Sequence, residues 1–390
     1  MISEESKIFL NRIVPLVLLL VFIPLISFIV WILYPKQELE ILVIDKTVPN
    51  FKYQEHKSVF WILEHLKFTD EKGEFYDYKI DYVGFHPDES KTYGHFDDFS
   101  GLSSSQLKEK VAAVDLIYFA DTYGVFENDF KENNENELSK KIHGGLNRGD
   151  INLLKEARAQ KKTVVAEFNS MASPTPAGIR AEFENIMGVK WTGWIGRYFD
   201  EMDTSQNKTI PTWLIQSYML ESSAKWDFNG SGIIFINEDG RIEVFEDEID
   251  YEGELPVIRT LSTLNQGFNL PEFIPYPDWF DVVLIERDYQ VISYYDINPT
   301  EAGKEKLRTL GLPRFFPAAV FNSTEEGTLY YFSGDFADSR GSFGSAKFYG
   351  VPALWRAFHI ASDYSDRQSF YWNYYYPLFS EILERAYKVK

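Results

Sequence analysis

An uninterrupted apolar run near the N-terminus places the strongest constraint on this chain. Residues 13–34 read IVPLVLLLVFIPLISFIVWILY and carry no charged side chain. A helix rises about 1.5 Å per residue, so this run would measure roughly 33 Å, close to the ~30 Å hydrocarbon core of a bilayer. Trp31 and Tyr34 stand near its end, where aromatic side chains favour the membrane interface. The sequence therefore predicts one transmembrane helix over residues 13–34.

The flanks of this run favour an uncleaved anchor over a signal peptide. A signal peptide has an apolar region of about 7–15 residues followed by a small-residue cleavage site. Here the run is longer and ends in Ile-Leu-Tyr-Pro-Lys. Lys7 and Arg12 precede the span and Lys36 follows it, so the balance of positive charge predicts a cytoplasmic N-terminus. We expect residues 1–36 to be a single-pass membrane anchor and the body to be extracytoplasmic, at a bacterial cell envelope.

Charge and cysteine content exclude several classes of protein and site. The 390 residues include 39 Lys and Arg against 59 Asp and Glu, a net charge of −20. Because an acidic chain repels phosphate backbones, this balance argues against nucleic acid as a partner. The chain has no cysteine, which excludes disulfides, thiolate metal sites and a cysteine nucleophile.

The body alternates between strand and helix patterns up to about residue 200. Strand patterns cover residues 40–45, a continuous apolar run, residues 78–85, which alternate, and residues 115–121 and 163–168. Helical patterns cover residues 54–68, 103–113, 147–162 and 174–187. Strands separated by helices are typical of a parallel sheet with right-handed crossovers. We predict an α/β fold class: a flavodoxin-like parallel sheet flanked by helices.

The pattern changes after residue 200, where hairpins are added to the predicted sheet. Two hairpins are predicted, at residues 232–245 and at residues 282–297. A short helix at 300–310, strands at 315–321 and 328–333, and an aromatic-rich helical tail follow. The predicted divisions are the α/β domain 37–200, its continuation with hairpins 201–345, and the aromatic helical tail 346–390.

Polar side chains recur where the predicted parallel strands end. Those positions are Asp45, Asp121, Glu167, Asn169 and Asp335. Ligands of open parallel sheets bind beyond the carboxyl ends of the strands, so we assign Asp121, Asn169 and Asp335 to ligand binding. Converging carboxylates can hold a divalent cation, transfer protons or accept hydrogen bonds from sugar hydroxyls. The structural alternative is that such residues end strands because their side chains bond turn backbone.

A serine nucleophile is one catalytic hypothesis for the same edge of the sheet. Ser170 would need a histidine base, and His56 opens the helix that follows Asp45. No G-x-S-x-G surrounds Ser170. The catalytic candidates are Asp45, His56, Glu167 and Ser170; no metal ligand is assigned and the cofactor is unknown.

The segment WTGWIGRYF at residues 191–199 is a second candidate for ligand binding. In a loop, Trp191 and Trp194 could stack against a sugar face while Arg197 bonds a carboxylate or hydroxyl. The alternative is a loop that its tryptophans pin to the core of the domain.

The succession of strands and helices over residues 38–200, ending in a sharp turn, resembles the class I glutamine amidotransferase-like superfamily. In that family the turn after the strand equivalent to TVVAEF carries a cysteine nucleophile, with a His–Glu pair later in the chain. Here the turn reads FNSM at 168–171, and no His-x-Glu follows. The resemblance implies the fold without amidotransferase chemistry. Segments 45–49, 191–199 and 330–338 are also similar to membrane-anchored bacterial proteins of uncharacterised activity.

Three functions remain open from the sequence, and a non-catalytic one is favoured. The first is a membrane-anchored extracytoplasmic binding or assembly protein whose partner is a glycan or a membrane protein. The alternative is an envelope hydrolase that uses the strand-end carboxylates, with or without a divalent metal. The third is a structural scaffold that docks through its aromatic tail.

Overall fold

The computed structural model describes residues 4–88, 93–130, 139–253, 255–262, 267–338, 343–360 and 367–390. The helices are α1 Glu4–Leu33, α2 Gln54–Leu66, α3 Ser104–Ala112, α4 Arg148–Ala159, α5 Ala177–Met187, α6 Thr212–Ser222, α7 Glu301–Leu310, α8 Val351–Phe358, α9 Arg367–Phe370 and α10 Tyr376–Val389. A 3₁₀ turn covers Glu127–Phe130, and a π-helical turn covers Tyr371–Tyr375. The strands before residue 200 are β1 Gln37–Glu38, β2 Ile41–Asp45, β3 Phe68–Thr69, β4 Tyr82–His86, β5 His95–Phe96, β6 Leu116–Asp121, β7 Val125–Phe126, β8 Lys141–His143, β9 Thr163–Ala166 and β10 Val189–Phe199. The later strands are β11 Gly232–Asn237, β12 Ile242–Glu246, β13 Val257–Thr260, β14 Phe273–Pro275, β15 Phe280–Ile285, β16 Gln290–Asp296, β17 Phe316–Thr324 and β18 Gly327–Phe332.

A ten-stranded mixed sheet organises the body. Its order is β14-β13-β16-β17-β18-β9-β6-β2-β4-β5. The five strands from β18 to β4 run parallel, and in chain order they are arranged 2-1-3-4-5, which is the flavodoxin-like order. Antiparallel strands extend the sheet at both edges. The predicted α/β fold class is confirmed, and the sheet runs without a break across residue 200 because β18 pairs with β9.

Both faces of the parallel strands are covered, which explains their unbroken apolar runs. Every residue of β2, β6 and β9 is buried. Side chains of α2 and α10 form the core on one face, and side chains of α3, α4 and α5 form the core on the other. A strand with two buried faces needs apolar residues at consecutive positions, not at alternate ones.

Strands β12, β11, β10 and β15 form, in that order, a four-stranded antiparallel sheet. One sequence prediction about these strands is confirmed and two are wrong. The hairpin at 232–245 is confirmed as β11 and β12, turning at Gly240 in the left-handed region. The hairpin at 282–297 is wrong, because β15 pairs with β10 while β16 pairs with β13 and β17 in the large sheet. The segment 191–199 is not a loop but part of β10, whose register shifts at a bulge.

The aromatic tail packs on the body. Its aromatic side chains Tyr371, Trp372, Tyr374 and Tyr375 are buried in the larger core cluster. The hydroxyl of Tyr371 donates to the Ser58 carbonyl at 3.2 Å. The phenolic hydroxyl of Tyr374 lies in hydrogen-bond contact with the hydroxyl of Ser293. Much of the surplus of aromatic residues is therefore core material.

Helix α1 is long and apolar enough to cross a membrane over Ile13–Leu33, with a mean hydropathy of 3.1. A signal sequence passes the same test of length and composition. The end of the helix contacts the body, where the Trp31 indole donates to the His65 carbonyl at 3.0 Å. The Lys67 ammonium donates to the carbonyls of Trp31 and Ile32 at 3.1 and 3.0 Å and to that of Tyr34 at 2.5 Å.

Candidate functional site

The carboxyl ends of the parallel strands meet at the point where the strand order reverses. Strand β2 has β4 on one side and β6 on the other, so the chain winds in opposite directions from it. Asp45 at the end of β2 lies directly opposite Asp121 at the end of β6. This is the switch point at which open α/β sheets bind ligands. The predicted edge of strand-end carboxylates is therefore present in the fold.

Three carboxylates converge at this edge. One oxygen each of Glu55, Asp121 and Asp335 lies within 4.8 Å of the other two. Asp121 is buried, while Glu55 and Asp335 are half-buried. Oε2 of Glu55 is shielded from solvent and meets no hydrogen-bond donor in the described part of the chain. Oxygen ligands at this spacing are of the kind that Ca²⁺ and Mg²⁺ prefer.

Burial and mutual repulsion disfavour negative charge in this cluster. Burial raises the pKa of Glu55 well above its ordinary value, and the carboxylates of Asp335 and Asp338 raise it further. Burial also raises the pKa of Asp335, with Asp338 and Asp121 as the next causes. The cluster therefore retains protons more strongly than exposed carboxylates would, unless a cation replaces them.

Asp121 is the most firmly held of the three. It accepts hydrogen bonds from the Thr47 hydroxyl at 2.7 Å, the Tyr123 amide at 2.6 Å and the Asn169 side-chain amide at 2.9 Å. Burial raises its pKa to about 7, although the bonds from Asn169 and Thr47 act in the opposite direction. A carboxyl group with that pKa is suited to proton transfer near neutral pH. Asn169, in the left-handed region with φ 65°, orients Asp121 from the next strand end.

Asp45 and His56 form a closed, fully buried pair. Oδ2 of Asp45 lies 2.5 Å from Nδ1 of His56, and Oδ1 accepts the Thr47 amide at 2.8 Å. Nε2 of His56 lies 2.8 Å from the Tyr78 carbonyl, to which it donates. Hydrogen-bond partners on both sides of the ring therefore fix the orientation of the His56 side chain. The pair ties α2 to the end of β2.

Ser170 is not joined to this pair. Its hydroxyl donates to the Glu167 carbonyl at 2.9 Å, and the side chain is fully buried. The described contacts of Ser170 include no histidine, so Asp45, His56 and Ser170 are not connected as a triad. A catalytic role for Ser170 stays a prediction that this geometry does not support.

The buried side chain of Glu167 connects several segments of the chain at the edge of the sheet. Its carboxylate accepts four hydrogen bonds, from the hydroxyls of Tyr118 and Tyr375 at 2.9 Å each and from the amides of Phe336 and Ala337 at 3.1 Å each. Burial raises its pKa to about 8, and these donors act against that rise. The side chain therefore joins β9 to the segment after β18 and to the C-terminal tail.

A second buried ion pair, which sequence reasoning missed, lies beside this edge. Nζ of Lys46 lies 2.5 Å from Oδ2 of Asp150 and donates to the Gly145 carbonyl at 3.0 Å. Asp150 also accepts the Asn147 amide at 2.7 Å at the start of α4. The pair fixes α4 to the loop after β2.

Trp191 and Trp194 are packed inside the protein. They are 7% and 2% exposed, and the Trp191 indole donates to the Trp194 carbonyl at 2.9 Å. The guanidinium of Arg197 lies 4.9 Å from the ring centre of Phe199 and 5.3 Å from that of Trp279. This packing matches the structural alternative. The predicted sugar platform is not supported, because neither tryptophan offers an open face.

Glu55 is the residue of the cluster that sequence reasoning missed. It lies in the first turn of α2, which begins just beyond the carboxyl end of β2. The first turn of a helix that follows the first parallel strand points at the switch point, and that position was the available signal.

Comparisons with known proteins do not assign this chain to a family. No family model matches the chain, and no curated protein matches it. A β-galactosidase from Bacillus circulans sp. alkalophilus is 12% identical over 79% of this chain and 30% of its own, with a TM-score of 0.32. A cytoplasmic protein from Salmonella typhimurium is 11% identical over 89% and 98%, with a TM-score of 0.37. A ThuA-like protein from Bacteroides uniformis is 11% identical over 84% and 92%, with a TM-score of 0.35. This chain thus spans less than a third of the galactosidase, and likenesses at these scores carry no functional conclusion.

Proposed function

We propose that the chain is a membrane-anchored extracytoplasmic protein of the bacterial envelope, with a non-catalytic, amidotransferase-like domain that binds a ligand or a membrane partner. The observation that carries the proposal is the contact between the end of α1 and the body. The switch-point edge is the proposed binding site, and a glycan is the ligand class we favour.

The contact at α1 supports an anchor that is retained. The last carbonyls of a helix have no partners within it, and a cation there is favourable. Lys67 supplies that cation from the body and is itself only 6% exposed. Removal of α1 would take away these three acceptors and the Trp31 ring, which lies 4.8 Å from the ammonium. A cleaved signal peptide is not expected to be bound in this way.

Membrane fractionation of the full chain tests the anchor. We expect the protein in carbonate-washed membranes, with an intact mass that includes residues 1–36. We also expect a protease added outside spheroplasts to degrade the body. A soluble product that lacks the N-terminal segment would overturn the proposal, as would a body that is protected in intact spheroplasts and cleaved after lysis.

The state of Ser170 and Glu167 supports a non-catalytic domain. The Ser170 hydroxyl donates a hydrogen bond to a backbone carbonyl, and the Glu167 carboxylate accepts hydrogen bonds from four donors. Glu55 and Asp335 are half-buried, so part of each residue reaches solvent at this edge of the sheet. A glycan array with the detergent-solubilised full chain tests the ligand class. Binding that is lost in Asp335→Asn is expected, and a signal no higher than background would remove the glycan proposal.

An envelope hydrolase is the second candidate, favoured by the three oxygens within 4.8 Å and by the pKa of Asp121 near 7. In this proposal a divalent cation or a proton-transfer pair would work at the Glu55 cluster. Melting temperatures with Mg²⁺, Ca²⁺, Mn²⁺ and Zn²⁺ test it, since a ligand of the native state raises stability. A saturable rise that is lost in Glu55→Gln but kept in the exposed control Asp239→Asn supports the metal form. No rise with any cation rejects that form.

A further inference from the structure

We propose that helix α8 lies in the headgroup region of the membrane that α1 spans, so that the body is held to the bilayer at two places. The inference rests on the anchor proposed above and adds a lipid-contacting surface to it. It depends on three features of α8: its outward face, its inward face and its position beside α1.

The outward face of α8 is apolar. Its exposed residues are Ala353, Leu354, Ala357 and Phe358, with Leu354 53% and Phe358 69% exposed. Positions i, i+1, i+4 and i+5 share one side of a helix. Ile360, just after the helix, is also exposed. A helix on a water-facing surface shows the opposite pattern, with polar residues outward.

The inward face fixes this orientation. Pro352 is buried, and Val351 and Trp355 pack against the larger core cluster. The ring centres of Trp355 and Trp372 are 6.3 Å apart, with nearly parallel planes. Since the inward side chains are held by the body, Leu354 and Phe358 cannot turn inward without breaking that packing.

The start of α8 touches α1 within the proposed span. The Tyr349 amide donates to the Ser27 carbonyl and the Gly350 amide to the Ser27 hydroxyl, each at 3.3 Å. The ring centres of Phe348 and Phe28 are 5.9 Å apart. Ser27 lies six residues before the end of α1, or about 9 Å along its axis. Interfacial helices bury their apolar face about 5–10 Å into the headgroup and acyl boundary, so the depth matches.

The position of α8 beside α1 therefore indicates that lipid covers its outward face. A face that is continuous with a membrane-spanning helix meets the bilayer before it can meet a soluble partner. Tyr349 and Tyr34, whose ring centres are 6.1 Å apart, stand at the level where aromatic residues border the hydrocarbon.

The absence of cysteine permits a direct test on the full chain. Single variants Leu354→Cys and Phe358→Cys receive a nitroxide label, and the protein is placed in nanodiscs of palmitoyl-oleoyl phosphatidylcholine. Leu220→Cys, on the exposed side of α6, is the aqueous control, and Leu20→Cys on α1 is the lipid control. All four sites are exposed, so the labels do not disturb the core. Accessibility to oxygen and to a water-soluble nickel chelate is then compared.

We expect the ratio of oxygen to nickel accessibility at 354 and 358 to exceed that at 220 by at least about threefold, as for side chains below the headgroups. Ratios at 354 and 358 that equal the ratio at 220, with position 20 in lipid, would overturn the proposal and leave the anchor intact. A water-exposed label at 20 would overturn the anchor as well. Dipolar broadening at 354 would show that a second copy covers the face instead of lipid.

Discussion

Glu167 and Glu55 lie at the same edge of the same sheet, yet their carboxylates have opposite surroundings. Glu167 accepts four hydrogen bonds from donors on three separate parts of the chain. Oε2 of Glu55 is shielded from solvent and meets no described donor, and one oxygen of this side chain lies within 4.8 Å of an oxygen of Asp121 and of Asp335. A carboxylate at this edge of the sheet is thus structural or available for a ligand according to its partners, not its position. Changes to each should have effects of opposite sign.

The largest effect is expected from Glu167→Ala. The change leaves the two buried amides and one of the two buried hydroxyls without an acceptor, because the hydroxyls of Tyr118 and Tyr375 lie 3.1 Å apart and one can still donate to the other. Each group without an acceptor costs about 1–3 kcal/mol. We expect the free energy of unfolding to fall by about 5 kcal/mol or the chain not to fold. Urea denaturation followed by tryptophan fluorescence measures this. Glu167→Gln keeps acceptor atoms and should lose less; equal stability of Glu167→Ala and the native chain would contradict the structural role.

Lys46→Met should have the next largest effect. Asp150, which is fully buried, would lose the ammonium 2.5 Å away, which opposes the rise in its pKa that burial causes. Breaking one half of a buried ion pair costs about 3–5 kcal/mol, whereas an exposed pair contributes about 0–1 kcal/mol. The matched control is Lys347→Met, whose partner Glu64 lies at the surface 3.5 Å away. Similar midpoints of urea denaturation for the two variants would show that water reaches the Lys46–Asp150 ion pair.

Glu55→Gln should have the smallest effect and the opposite sign. Its pKa is raised from an ordinary 4.5, so the folded chain binds more protons than the unfolded chain above that pH. Stability from this group is therefore lost as pH rises from about 4.5 upward, through the region near 7 where Asp121 titrates. Without added cations, the melting temperature of Glu55→Gln relative to the native chain should increase between pH 5 and pH 8. A constant difference across that range would contradict the repulsion that we assign to the cluster.

The sequence predicted the parallel sheet and the carboxylate edge because both depend on local pattern. Buried strands such as β2 and β6 need consecutive apolar residues, and each ends in an aspartate at a fixed place in the fold. Asp121 and Asp335 were found for this reason. Glu55 was missed because the apolar pattern of α2 does not mark it; only its place in the first turn after β2 indicates that it lies at the switch point.

The remaining errors came from features that depend on pairing between distant segments. Residues 282–297 contain two strands with a turn between them, and nothing local indicates that β15 and β16 belong to different sheets. Trp191 and Trp194 look like a binding loop because tryptophans and glycines mark such loops. Only the pairing of β10 with β11 and β15 shows that they belong to a buried strand.

The four donors of Glu167 also set the order in which the protein can be completed during synthesis. Strand β9 cannot complete its pairing until β18 has been synthesised, because Thr163 pairs with Thr328, which lies more than 160 residues later. The last donor, Tyr375, leaves the ribosome roughly 10–40 s after Glu167, at about 5–20 residues per second. Until Tyr375 has been synthesised, the Glu167 carboxyl group lacks one of its four donors, although the N-terminal anchor is already complete. A chain that stops just before Tyr375 would contain every strand of the ten-stranded and four-stranded sheets and still lack the last donor to Glu167.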